Sequence, residues 1–161
     1  MIETLKKFLF PAFLGGRVGL AMLLLRVFVG FAFINHGGGK LADIAAFQAE
    51  FDIPSWYLAA AACLTQLVGG VLLIIGFFTP LAALGIVSTV TVATIVLMSK
   101  GEPFINPAGH SYENSSFYIF AGLAIALIGA GKYSLDRLVF GKRDGVEGET
   151  AQSELRQAAT I

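Results

Sequence analysis

Seven polar side chains in this sequence are candidates for acting on another molecule: Arg26, His36, Lys40, Gln66, His110, Tyr112 and Glu113. Histidine and carboxylate groups change protonation with small changes of environment, so His36 and Glu113 can shuttle protons. Arginine keeps its charge and offers a fork of donors that suits a carbonyl or an anion. The set therefore suits a carbonyl-bearing ligand and proton transfer to it. We expect Arg26, His36 and Glu113 to be the catalytic groups, with Gln66, Tyr112, His110 and Lys40 binding the cofactor. Each has a plainer role beside it. Glu113 suits the positive end of a helix dipole. Gln66 suits hydrogen bonding between helices, and Arg26 a structural bond to loop carbonyls. His110 and Glu113 stand at i,i+3, a spacing used in metal sites of helix bundles. His36 is the one further histidine, however, and no metal is expected.

The element that must position these residues is a set of membrane helices. Of the 161 residues, 56% are hydrophobic and 14% charged, against roughly half and a quarter in soluble domains. A span needs roughly 20 mostly apolar residues. Four stretches present themselves, at 18–36, 56–77, 81–98 and 115–130, the last short unless it begins near Tyr112. Only Phe78, Thr79 and Pro80 separate the second from the third, which forces an antiparallel hairpin with Pro80 in a first helical turn. The expected fold is all-α, an integral-membrane antiparallel four-helix bundle over residues 1–140. A polar cytoplasmic tail follows over 141–161, with the composition of a disordered segment.

The basic and apolar N-terminal stretch lacks a small-residue cleavage site and reads as a retained span. Eight Lys and Arg residues flank the bundle at its two termini, whereas Lys40 and Lys100 stand alone in the loops after the first and third spans. The positive-inside rule then places both termini in the cytoplasm and the His36 and His110 loops outside. In a bacterium this means an inner-membrane protein with those loops in the periplasm. Eleven basic and eleven acidic residues cancel, which gives no electrostatic footprint for nucleic acid.

Arg26 lies nine residues beyond Arg17 and thus about 13 Å deeper, near the bilayer centre. Even insertion scales put an arginine there at about 2.5–3.5 kcal/mol, so it must face protein or water. Gly19, Gly30, Phe33 and Gly37 share its helical face, and glycines allow close helix approach. Gln66 lies on a similar small-residue face with Ala59, Cys63, Gly69 and Gly70. Gln66 is one candidate partner for Arg26, and Glu113 is the nearest carboxylate by position. The string "HGGGK" lacks P-loop spacing, and Gly37 is expected to end the first helix as a C-cap. The single cysteine, Cys63, excludes a dithiol, and no flavin or haem pattern is present.

In order and spacing, "LRVFVGFAFINHGGGKL", "QLVGGVLLIIGFFTPLAAL", "INPAGHSYE" and "LIGAGKYSLDRL" resemble the DoxX family of small four-span bacterial membrane proteins, over about residues 24–139. The resemblance implies a helix bundle linked to redox metabolism. Relatives of that kind include a subunit of a thiosulfate:quinone oxidoreductase, and mycobacterial members associate with a superoxide dismutase and a sulfurtransferase. It puts Arg26, His36, Gly37, Lys40, Gly69, Gly70, Thr79, Pro80, Tyr112 and Glu113 on motif positions. Gln66 departs from it, standing where glutamate is usual, which removes a counter-ion for Arg26.

The expected function is a membrane subunit of a redox system, quinone-linked, with its polar site on the periplasmic side and electrons supplied by another protein or the substrate. Phe31, Phe33, Phe117 and Tyr118 are candidate walls for the quinone. The alternative is a non-catalytic scaffold or accessory subunit for redox or stress-defence enzymes, within a larger membrane complex or as a homo-oligomer. A small-solute transporter is a third reading, with few spans and no discontinuous helix to support it.

Overall fold

The computed structural model describes residues 13–107 and 111–141. Six helices follow in order: α1 (Gly16–Ala42), α2 (Ile44–Glu50), α3 (Trp56–Ile75), α4 (Thr79–Ser99), α5 (Glu113–Ile128) and α6 (Leu135–Phe140). No strand occurs among the described residues, as the all-α expectation requires. α1, α3 and α4 are each long and apolar enough to cross a membrane. α5 has 16 residues and so extends about 24 Å, less than a hydrocarbon core of about 30 Å.

α1 packs most extensively on α3, α3 on α4, and α4 on α5, with α5 returning to α1. The seam between α1 and α3 is made by absent side chains. A Cβ added to Gly30 would come within 2.6 Å of the Gly70 carbonyl oxygen, and one on Gly70 within 2.6 Å of the Gly30 oxygen. Seven residues further up α1, a Cβ on Gly37 would reach 2.6 Å from the Leu67 nitrogen. The pairings of 30 with 70 and of 37 with 63–67 make the two helices antiparallel. Beside the seam lies a core of Val29, Phe33, Leu73, Ala83, Ile86 and Ile125. Such close backbone approach is how helices associate where lipid removes any hydrophobic preference for protein.

Local start signals act as the sequence predicts. Ser55 caps α3 by accepting from the Leu58 N–H, Pro80 stands in the first turn of α4, and Ser134 caps α6 by accepting from the Arg137 N–H. One expectation is corrected. Gly37 does not end the first helix, because α1 runs on to Ala42 and Gly37 is buried inside the seam. The chain turns instead at Asp43, whose side chain accepts from the Ala46 N–H and starts α2. The tail over 142–161 and His110 lie outside the described residues.

Candidate functional site

The predicted polar residues divide between two ends of the molecule. The lower end is where α1 and α4 begin and α3 and α5 finish. The upper end holds the top of α1, α2 and the start of α3.

Arg26 belongs to the lower end. Its side chain is fully buried, and Nη2 donates to the Tyr133 carbonyl oxygen in the segment before α6. Nη1 rests on Gly76, where a Cβ would come within 1.9 Å of it. Gly76 has φ of +71°, a left-handed turn that glycine adopts without penalty. The carboxylate acting on the guanidinium through space is Asp136. Asp136 is itself buried, accepting from the Phe78 N–H at 2.8 Å and the Thr79 N–H at 3.0 Å. Its own N–H donates to the Gly76 oxygen at 2.8 Å. Asp136 thus caps the N-terminus of α4 and holds Phe78, a non-glycine residue at φ of +46°. A carboxylate at a helix start meets both the free N–H groups and the positive dipole end.

This corrects one expectation. Neither Gln66 nor Glu113 is the partner of Arg26. Its side chain reaches toward the lower loops, where Gly76 and Tyr133 touch the guanidinium and Asp136 acts on it through space. Asp136 escaped notice because it lies 57 residues along the chain from the Thr79 N–H it caps. Its available signal was its place in the first turn after Ser134.

The upper end holds Lys40 and Gln66. Lys40 is the basic residue in the last turn of α1, where a lysine in lipid would be expected to snorkel toward water. Here it points inward. Its Nζ lies 3.4 Å from the Gln66 Oε1, and Gln66 is 2% exposed, ten residues into α3. The direction follows from helix geometry, since Cα–Cβ bonds tilt toward the N-terminus. Gln66 Nε2 donates to Thr89 Oγ1 at 3.3 Å, and that hydroxyl donates to the Ile86 oxygen at 2.9 Å. Phe47 of α2 sits beneath the ammonium at 4.7 Å from ring centroid to Nζ, and Phe51 at 5.5 Å.

Two cavities meet at this pair. The larger, about 480 Å³, lies between α3, α4 and the α2 segment, with mainly apolar walls that include Phe47, Phe51, Leu58, Ala62, Val92 and Val96. The smaller, about 160 Å³, lies between α1, α4 and α5 and carries His36, Phe33, Tyr118, Ser111 and Asn114. Lys40, Gln66, Phe51 and Ala93 line both. His36 packs its ring on Phe33 at 5.8 Å and on Tyr118 at 6.1 Å.

The remaining predicted residues stand apart. Glu113 is the exposed first residue of α5 and Tyr112 stacks against Phe104 at 5.3 Å between ring centroids; neither lines these two cavities. Of the predicted aromatic walls, Phe33 and Tyr118 face the smaller cavity, while Phe31 and Phe117 are exposed on the helix surface. Phe47, Phe51 and Thr89 were not anticipated. Asp43 before an aromatic pair at i,i+4 was the signal for α2. Among the described residues, no three His, Cys, Asp or Glu side chains gather as a metal site.

Long apolar helices with glycine seams, a buried arginine matched to a carboxylate, and bands of outward apolar side chains define a multi-pass α-helical membrane protein in contact with lipid. The chain belongs to the DoxX family, whose profile matches residues 21–99. It is also similar to "Putative oxidoreductase CatD" of Bacillus subtilis (strain 168), at 30% identity over 130 residues, covering 78% of this chain and 92% of that protein. No solved structure matches it.

Proposed function

We propose that this chain is the membrane subunit of a redox system and binds a quinone in the larger cavity, with a quinone carbonyl on the Lys40 ammonium. The observation that carries this is the inward course of Lys40, whose charge ends between two cavities on one long hydrogen bond, among the described residues, to Gln66. An ammonium has three donors, and this one has capacity left for an incoming oxygen. Gln66 is oriented by Thr89, so its carbonyl end stays on Lys40. Phe47 and Phe51 offer ring faces to a flat ligand.

The name of the CatD relative supports a redox role, and the mainly apolar walls suit a lipid-soluble electron carrier. Two electrons from a partner redox protein and two protons convert a quinone to its quinol. Negative charge develops on the carbonyl oxygen as electrons arrive, and a positioned cation favours that state. His36, on the smaller cavity, is placed to pass protons between outer water and the Lys40 end. In this reading Arg26 and Asp136 hold the fold and take no part in the chemistry. The excess of Lys and Arg near the termini sets both termini in the cytoplasm of a bacterial inner membrane, with the cavity in the outer half.

Trp56 is the single tryptophan and begins α3, two residues before Leu58 of the cavity wall, so quinone binding can be followed by quenching of its fluorescence. Lys40→Met should weaken quenching by a short-chain quinone at least tenfold, with the thermal unfolding midpoint retained. Unchanged binding in that variant overturns the proposal.

A further inference from the structure

We infer that the ligand arrives from the lipid phase and keeps a long apolar chain in a groove between α3 and α4; this rests on the quinone reading above. The loop end of the larger cavity is covered by one tethered segment. The segment from Phe51 to Pro54 lies over it, and Lys100 holds that segment through Asp52 at 3.0 Å and the Glu50 carbonyl oxygen. The side between α3 and α4 is different. Leu58 and Val92 line the cavity there, yet they are 56% and 61% exposed, so they meet both the cavity and the acyl chains around the protein.

A second groove follows downward along the same two helices. It has a volume of about 180 Å³ and is walled by Thr65, Val68, Leu72 and Leu81 and floored by Gly69 and Gly85. The cavity's positions on α3, at 58, 62 and 66, and the groove's, at 65, 69 and 72, form one helical stripe at i,i+3/i+4 spacing. On α4 the positions 82, 85, 89, 92 and 96 do the same. From Leu58 to Leu72 this path covers about 21 Å, most of the depth of a hydrocarbon core. The exposed Ser88 stands at the junction of cavity and groove. An amphiphile with a carbonyl head and an isoprenoid or alkyl chain fits this shape: the head meets Lys40 and Gln66, and the chain leaves past Ser88. Lipid and groove are equally apolar, so the chain adds little affinity. What it adds is a need for an unblocked path.

The test uses the full chain in lipid nanodiscs, with Trp56 quenching by two quinones of the same ring, one without a chain and one with a decyl chain, and concentrations expressed per lipid. The unaltered protein should bind both within about threefold of each other. Val68→Phe and, independently, Gly85→Leu, both on the groove and not on the cavity, should weaken the decyl quinone at least tenfold and leave the chainless one unchanged, at retained thermal midpoints. Gly85→Leu meets Thr65, whose Cγ2 lies 3.2 Å from an added Cβ; Val68→Phe at an exposed position covers the case in which that variant fails to fold. Equal effects on the two quinones, or none on either, overturn the groove while leaving the head-group site standing. Absence of quenching by both in the unaltered protein overturns the quinone reading and this inference together. A phospholipid retained in native mass spectra and not displaced by the decyl quinone also overturns it.

Discussion

Removing the Asp136 carboxylate is the sharpest perturbation of the lower end. In Asp136→Ala the N–H groups of Phe78 and Thr79 lose their acceptor at a buried site. Hydrogen bonds to a charged group contribute about 1.5–3 kcal/mol each. The Arg26 guanidinium also loses the carboxylate that compensates it; its remaining protein hydrogen bond is to the Tyr133 oxygen, since among the described residues Nε and Nη1 have no partner. Breaking a contacting buried pair costs about 3–5 kcal/mol, and Asp136 acts on Arg26 through space, so this part is smaller. These effects overlap, so we expect a loss of about 3–5 kcal/mol in total, a large share of a stability of about 5–15 kcal/mol.

Arg26→Met should cost less, about 1–3 kcal/mol, because Asp136 keeps both N–H donors and the α4 dipole. The double variant Arg26→Met with Asp136→Ala should be less damaged than the sum of its parts, with coupling of about 0.5–3 kcal/mol. Unfolding by SDS in mixed micelles, followed by helical circular dichroism, measures all four proteins. The outcome that refutes this reasoning is an Arg26→Met protein of unaltered stability that no longer binds quinone. The guanidinium would then act on the ligand rather than on the fold.

Three further perturbations test the rest. Gln66→Glu places a carboxylate where Oε1 now sits 3.4 Å from Lys40; the resulting ion pair should hold the ammonium and weaken quinone binding severalfold in the Trp56 assay, with the fold intact. Gly30→Leu drives a side chain into the Gly70 backbone, where nothing flexible can give, and should cost at least the 1–3 kcal/mol or so of an overpacked core. Lys100→Ala releases Asp52 and the Glu50 oxygen at a mainly exposed site; stability should change by less than about 1 kcal/mol, while hydrogen exchange over 50–54 should accelerate.

How much was legible depended on the range of the interaction. Pro80, Ser55 and Ser134 act within one helical turn of themselves, so their roles could be read directly. The glycine face of α1 was also visible, because periodicity alone marks Gly19, Gly30 and Gly37 as one stripe with Arg26. The stripe does not say what covers it. Tyr133 lies 107 residues from Arg26, and only the folded chain brings the segment before α6 beneath the start of α4. The error at Gly37 has a physical origin too. Glycine is both a common helix stop and the residue that permits backbone contact, and local sequence does not distinguish the two uses. The seam with Cys63 and Leu67 does.

The two cations of α1 show why depth alone is a poor guide to function. Arg26 and Lys40 are 14 residues apart, or about 21 Å along the helix, and both avoid lipid by turning inward. At Arg26 the chain supplies a carboxylate, a carbonyl and a glycine contact, and the guanidinium is fully buried with no room beside it. Reaction at such a group would require the start of α4 to come apart. At Lys40 the contacts are a neutral amide and two ring faces, with the Glu50 carboxylate acting through space, and there is space on both sides. A desolvated charge with donors to spare costs stability that a hydrophobic residue would not, and a carbonyl oxygen entering the cavity would offset that cost. The deeper, more conspicuous charge therefore secures the fold, and the shallower one is left with chemistry to do.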